Sequence, residues 1–262
     1  AVVNAAGTQA DLTWLQDPAF TIAKYDVFRS QNQTGFRPIG SSTTPKYTDN
    51  LYMTAGNFCY RVNYEDVCKN VSSFGGPICP VRLFGSLDDK NVATLGWNSY
   101  VGWKGGVKNY TIEKYNSNGT LIKTFTTTDT TFTDSQPDPA NQVMRYLIKA
   151  NANATGLTTS ISNQVEFIKD ANLFAPSAFT PNGDGLNDTF TVAGQFIVKI
   201  ELSVFDRWGV LVYASEKNEP WNGSREGKPL PEGAYVWKAT GVDLAGRNFK
   251  YSGTVGLLQK NR

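Results

Sequence analysis

Histidine is absent from all 262 residues. That removes the usual general base near neutral pH and the commonest transition-metal ligand, and with them most hydrolase triads. Charge is sparse at 18%, and 25 basic residues nearly cancel 23 acidic ones for a formal charge of +2. Such a balance leaves no electrostatic footprint for nucleic acid or an anionic membrane. Long apolar runs are missing too: nothing approaches the roughly 18 residues of a membrane-spanning helix. Ala1-Val2-Val3-Asn4 lacks the basic start and apolar centre of a signal peptide, so the chain reads as the C-terminal fragment of a longer precursor whose export signal lies upstream.

Aromatics, by contrast, make up 13%, and Thr, Asn, Ser and Gly abound, which suits β-sandwiches with polar, weakly charged surfaces. Residues 1–80 alternate in the period of two that marks half-buried strands. Leu12 and Trp14 share a face, as do Tyr25, Val27 and Arg29, and then Phe58, Tyr60, Val62 and Tyr64. Residues 81–169 repeat these landmarks at a nearly constant step. Trp14 maps to Trp97, Tyr25 to Tyr110, Tyr47-Thr48-Asp49 to Phe132-Thr133-Asp134, and Tyr60 to Tyr146, each about 85 residues on. Two copies of one domain stand in tandem. The early Trp, the central Tyr strand, the aromatic-Thr-Asp, and Tyr60-Arg61-Val62 or Tyr146-Leu147-Ile148 near the end resemble fibronectin type III modules; that resemblance implies a seven-stranded sandwich.

Cys59, Cys68 and Cys79 all fall in the last hairpin of the first module. Cys59 points outward if Phe58, Tyr60 and Val62 point inward, and Cys68 lies near the turn, too far along the hairpin from either neighbour. A Cys59–Cys79 bridge across the open end fits best in an oxidising exterior, with three free thiols as the alternative.

Residues 170–262 form a third unit, entered through Leu173-Phe174-Ala175-Pro176. It opens on Ala178-Phe179-Thr180-Pro181-Asn182-Gly183-Asp184-Gly185-Leu186-Asn187-Asp188-Thr189-Phe190, a loop dense in turn residues with apolar ends. Val204-Phe205-Asp206-Arg207-Trp208-Gly209, Trp221-Asn222-Gly223, Pro231-Glu232-Gly233-Ala234-Tyr235-Val236-Trp237, Asp243-Leu244-Ala245-Gly246-Arg247 and Gly253-Thr254-Val255 follow in that order. The series resembles the gliding-motility-associated C-terminal domain of Bacteroidetes, the type B sorting domain of the type 9 secretion system, departing at Asp206 where that family more often has Asn. The fold class expected for the whole chain is therefore all-β, with three tandem immunoglobulin-like or fibronectin type III-like β-sandwiches.

What the resemblance implies is a secretion signal. The last domain would direct a periplasmic substrate through the type 9 outer-membrane translocon, assisted by a PorP/SprF-like outer-membrane protein, and leave the protein extracellular and attached to the cell surface. The cargo would be a large SprB-like adhesin of gliding motility; a polysaccharide-degrading enzyme with its catalytic domain upstream, or a purely structural repeat, are the alternatives. No catalytic constellation is visible, so no enzyme activity is expected of this chain.

Several residues are candidate sites. Asn182, Asp184, Asn187 and Asp188 can either gather calcium, the one cofactor considered, or cap local amides as an Asx-rich turn. Arg207 and Trp208 on a turn are either a docking point for a secretion partner or a cover folded onto their own sandwich. The final strand, Gly253 to Lys260, is read as an edge through which Thr254, Val255 and Leu257 meet the transport apparatus. Trp221, Tyr235 and Trp237 are assigned to the core. Trp103 and Tyr100 are candidates for carbohydrate contact beside the simpler reading as single surface or core aromatics, and Asp129-Thr130-Thr131 resembles an O-glycosylation site of secreted Bacteroidetes proteins.

Overall fold

The computed structural model describes residues 1–136 and 138–258, and among these no helix forms. The chain divides into two compact units: residues 1–139 with 143–167, and residues 140–142 with 168–262.

The first unit holds both repeats. The first repeat contributes β1 (Val2–Val3), β2 (Ala10–Thr13), β3 (Ile22–Gln31), β4 (Arg37–Ser42), β5 (Lys46–Asp49) and β6 (Phe58–Asp66). Sheet β1-β2-β5 faces sheet β4-β3-β6, and Val3, Leu12, Val27, Phe58 and Tyr60 meet between them, each 3% exposed or less. The second repeat contributes β7 (Leu83–Leu87), β8 (Ala93–Trp97), β9 (Val107–Asn116), β10 (Leu121–Thr127), β11 (Thr131–Asp134), β12 (Val143–Ala152), β13 (Ser160–Ile161) and β14 (Val165–Ile168). Here β11-β8-β7 packs on β10-β9-β12 around Leu95, Trp97, Tyr110, Ile112, Tyr146 and Ile148. The repeats are joined by hydrogen bonds as well as by the chain: Val2 of β1 pairs in parallel with Ile161 of β13, which makes one eight-stranded sheet of both.

The step of about 85 residues reproduces contacts, not only residue types. Trp14 meets Tyr25 edge-on with ring centres 5.1 Å apart, and Trp97 meets Tyr110 the same way at 5.5 Å. The Tyr60 hydroxyl donates to Asp49 at 2.8 Å and the Tyr146 hydroxyl to Asp134 at 2.8 Å. Each aspartate also holds a cation, Arg29 in the first repeat and Lys114 in the second, both at 2.8 Å. Burial pushes both phenols far above the ordinary tyrosine range, with the neighbouring carboxylate adding to it.

Cys59 and Cys79 form a disulfide, while Cys68 is an exposed free thiol beside the turn after β6. The chain returning from that turn is laid along β6: Tyr60 and Ile78 exchange hydrogen bonds of 2.7 and 2.8 Å. Tyr100 belongs to the core at 8% exposed, which corrects its reading as an exposed carbohydrate contact and agrees with the alternative of a core aromatic.

The second unit contains β15 (Asn172–Phe174), β16 (Ala178–Phe179), β17 (Ala193–Gln195), β18 (Ile197–Phe205), β19 (Leu211–Ser215), β20 (Ser224–Arg225), β21 (Lys228–Pro229), β22 (Gly233–Asp243) and β23 (Asn248–Leu257). A five-stranded sheet runs β16-β23-β22-β18-β19. Its inner face is covered mainly by connecting chain: Phe190 pairs with Trp221 through backbone hydrogen bonds of 2.7 and 2.8 Å, and both side chains are fully buried. Trp221 is the centre of this core, with Phe179, Tyr213 and Tyr235 ringed about it at 5.1 to 6.3 Å. Tyr235 and Trp237 are buried beside it.

Candidate functional site

The loop between Phe179 and Phe190 is held by its own side chains. Gly183 and Gly185 adopt φ of 78° and 83°, a left-handed conformation that costs glycine little. Their backbone amides converge on one carboxylate: Asp188 accepts from Gly183 at 2.7 Å and from Gly185 at 2.8 Å. Asp184 accepts from Leu186 N at 2.9 Å and from the Asn182 side-chain amide at 2.8 Å, while Asn182 Oδ1 accepts from Asp184 N. Asn187 acts through its main chain, its carbonyl accepting from Thr180 N at 2.8 Å. The four residues considered for calcium thus share one loop and spend their oxygens on amides. Among the described residues no group of three or more carboxylate, cysteine or histidine side chains gathers to hold a metal.

Between Asp206 and Val210 the chain turns from β18 into β19. Asp206 Oδ1 accepts from Trp208 N and Val210 N, both at 2.9 Å, closing a tight turn. Trp208 stands out of it, 79% exposed, with the Arg207 guanidinium 5.3 Å from its ring centre. It does not fold down over its own core. The turn therefore offers a cation and a large aromatic face to solvent.

The final strand differs from its expected form. Val255 and Leu257 are each 1% exposed and pack into the core, so they are corrected from partner contacts to core residues. Nor is the end of β23 an open edge: β22 lies on one side, and β16 pairs with Gly256 and Leu257 on the other. The sheet ends at β16 and at β19, each with a single partner strand, and β16 covers β23 only at Gly256 and Leu257. Gln259 and Lys260, the expected end of that strand, lie outside the described residues.

Thr254 remains exposed, and its register gives it company. It pairs with Val236, Val236 with Phe205, and Phe205 with Leu211, a row crossing four strands on the face opposite the core. Val236 is 44% and Leu211 47% exposed, and the row ends at the turn bearing Trp208. Arg207, Trp208 and Thr254 therefore sit at one end of the sheet with an apolar row between them. Phe205, Leu211 and Val236 were not singled out from the sequence. Period-two alternation is the signal for them, since placing Val204, Val212 and Tyr235 inward turns their neighbours outward.

The far end of the same sheet is fixed by Asp243. Its carboxylate caps Ala245 N and Arg247 N at 3.0 and 2.8 Å, and accepts from Arg247 Nε at 2.9 Å and Gln142 Nε2 at 2.7 Å. Burial opposes ionisation, yet these donors hold the carboxyl below the usual range.

No curated protein matches this chain. The crystal structure of the chicken CNTN1 FN1–FN3 domains aligns over 96% of both chains with 11% identity and a TM-score of 0.26. Residues 173–256 match the family model described as the CHU_C Type IX secretion signal domain, the stretch that bears the loop, the Arg207–Trp208 turn and the apolar row. The last third of this chain carries a type IX secretion signal.

Proposed function

We propose that this chain is part of a cell-surface adhesin that the type IX translocon exports by reading residues 168–262, with a PorP/SprF-like outer-membrane protein as the docking partner. The two preceding modules, fibronectin type III-like in their motifs, extend the cargo from the surface. The observation that carries the reading is the family match, and the exposed Arg207–Trp208 turn beside Leu211, Val236 and Thr254 supports a surface for the partner. The work of this domain is binding and involves no bond chemistry. Surface attachment after export, and a role in gliding motility, follow from the type B resemblance.

The test is a periplasm-directed fluorescent protein fused to residues 168–262 in a gliding Bacteroidetes strain. Strong surface delivery that disappears when the partner outer-membrane protein is deleted is the expected result. A folded reporter held in the periplasm with the partner present would sink the reading.

A further inference from the structure

The first unit carries a cleft of about 790 Å³, lined by residues outside the stretch that matches the secretion signal domain. Four segments line it: the chain from Trp14 to Phe20 after β2, β3 at Tyr25, β6 with its return at Asn63 and Phe74, and the loop bearing Trp103. This volume lies inside the range of about 300–1,000 Å³ that small-ligand sites occupy.

The cleft is built in advance. The return segment is tied to β6 by Ser72 N to Tyr64 O at 2.9 Å and Gly75 N to Val62 O at 3.0 Å. The Cys59–Cys79 disulfide anchors its end, and Cys79 exchanges hydrogen bonds of 2.9 and 3.2 Å with Val101, next to the Trp103 loop. A ligand would therefore meet ordered walls, which lowers the entropic cost of binding.

Its chemistry is specific in what it omits. Asp17 and Lys104 are the charged side chains of the lining and cancel, so neither an anion nor a cation has a complementary field. Aromatic surface is plentiful and partly open: Phe20 is 58% and Phe74 46% exposed, a cost in water that a covering ligand removes. Neutral hydrogen-bonding groups line it too, the amides of Gln16 and Asn63 and the hydroxyls of Ser72 and Ser73; Gln16 already donates to Phe20 O and accepts from the Tyr25 hydroxyl, and Ser72 donates to Ser73 O and accepts from Tyr64 N. Asn63 Oδ1 is buried with no hydrogen-bond partner. A purely apolar ligand would leave that oxygen unpaired and would cover the Ser73 hydroxyl. A pyranose ring offers both halves, C–H faces that lie on aromatic rings and equatorial hydroxyls that reach amides.

We propose that this cleft binds neutral carbohydrate, with short oligosaccharide rings stacked on the Phe20, Phe74 and Trp103 side chains and hydrogen-bonded to Asn63 and Ser73 and to the remaining lone pairs of Gln16 and Ser72. The site stands apart from the secretion reading, because it lies in the first unit and its test needs no export.

The full chain is titrated with neutral α- and β-linked glucose, xylose and mannose oligosaccharides, following tryptophan fluorescence and the heat of binding. A saturable response to at least one of them is expected, weakened about tenfold or more by Phe20→Ala and by Phe74→Ala. Phe20→Ala should melt like the parent, and Phe74→Ala, which loses an edge-on contact with Phe28 at 4.8 Å, should melt slightly lower. In a second arm an anilinonaphthalene dye is added. Dye uptake that Phe20→Ala abolishes, without any saccharide response, would assign the cleft to an apolar ligand and overturn the proposal. Silence of the whole panel, or saccharide binding indifferent to both substitutions, would overturn it equally.

Discussion

Lys114 and Asp134 lie in the second repeat with side chains only 4% and 2% exposed, so their ion pair has little water to fall back on. Burial by itself would raise the Asp134 carboxyl, but the Lys114 ammonium, the Tyr146 hydroxyl and the Gln136 amide hold it below the ordinary carboxylate range. A depressed folded-state value means that the stabilisation is complete above the unfolded value near ~4 and is lost as pH falls through the folded one. Asp243 acts with the same sign. Thermal melts should therefore stay level down to about pH 5 and drop steeply below about pH 4. Lys114→Met strands a buried carboxylate and should cost about 3 kcal/mol at neutral pH. It should also flatten the acid limb relative to the parent, because without Lys114 the folded Asp134 protonates more readily and its stranded charge is relieved as pH falls; an unchanged acid limb would refute the pairing. Asp188 is a milder case, since its loop is exposed and water can replace it. Asp188→Ala should cost about 1 kcal/mol by uncapping Gly183 and Gly185, a typical value for a lost side-chain cap. Because the carboxylates already serve those amides, added calcium should leave the melting temperature where it was.

Close approach of strands sets the next scale. At Gly241 a Cβ would stand 2.0 Å from the Lys199 carbonyl oxygen, where β18 carries a register irregularity against β22. Backbone cannot yield as a side-chain tip can, so Gly241→Ala should destabilise the second unit by about 2 kcal/mol or more, read from a denaturant melt. The Cys59–Cys79 bridge closes a loop of 20 residues, and its removal by Cys59→Ser and Cys79→Ser together should cost about 3 kcal/mol, the value expected for loops of that order. Strands of this kind were legible because inward and outward residues alternate: Tyr25 and Val27, or Phe58 and Tyr60, could be placed from spacing alone. The repeat step was legible too, and it already contained the unread fact that Arg29 maps onto Lys114 as Asp49 maps onto Asp134. The fate of the last strand was not, since Val255 and Leu257 read equally well as edge or core until β16 is seen pairing beside them. That pairing joins segments nearly 80 residues apart, and no local pattern announces it. Likewise the row Leu211–Phe205–Val236–Thr254 exists only once three strand registers are fixed.

For the whole molecule, the question is whether the secretion signal is a surface or merely a folded shape. The two possibilities separate at two tryptophans of the same unit. Trp221 is fully buried among Phe179, Tyr213 and Tyr235, and its indole donates to Ser224 O at 2.9 Å. Trp221→Ala should remove about 3–5 kcal/mol and lower export only by unfolding the domain. Trp208 contributes almost nothing to that core, so Trp208→Ala should leave the melting temperature within the small range of surface substitutions. If the Arg207–Trp208 turn is read by the export partner, Trp208→Ala should nonetheless cut surface delivery of the full chain about tenfold, as loss of an exposed aromatic anchor does at an interface. Leu211→Asp, on the adjoining row and 47% exposed, should do the same by placing a charge where a partner's apolar surface must lie dry. Surface labelling of intact cells against total protein measures both. Undiminished delivery of a stable Trp208→Ala and Leu211→Asp double variant would move the recognition surface elsewhere on the domain.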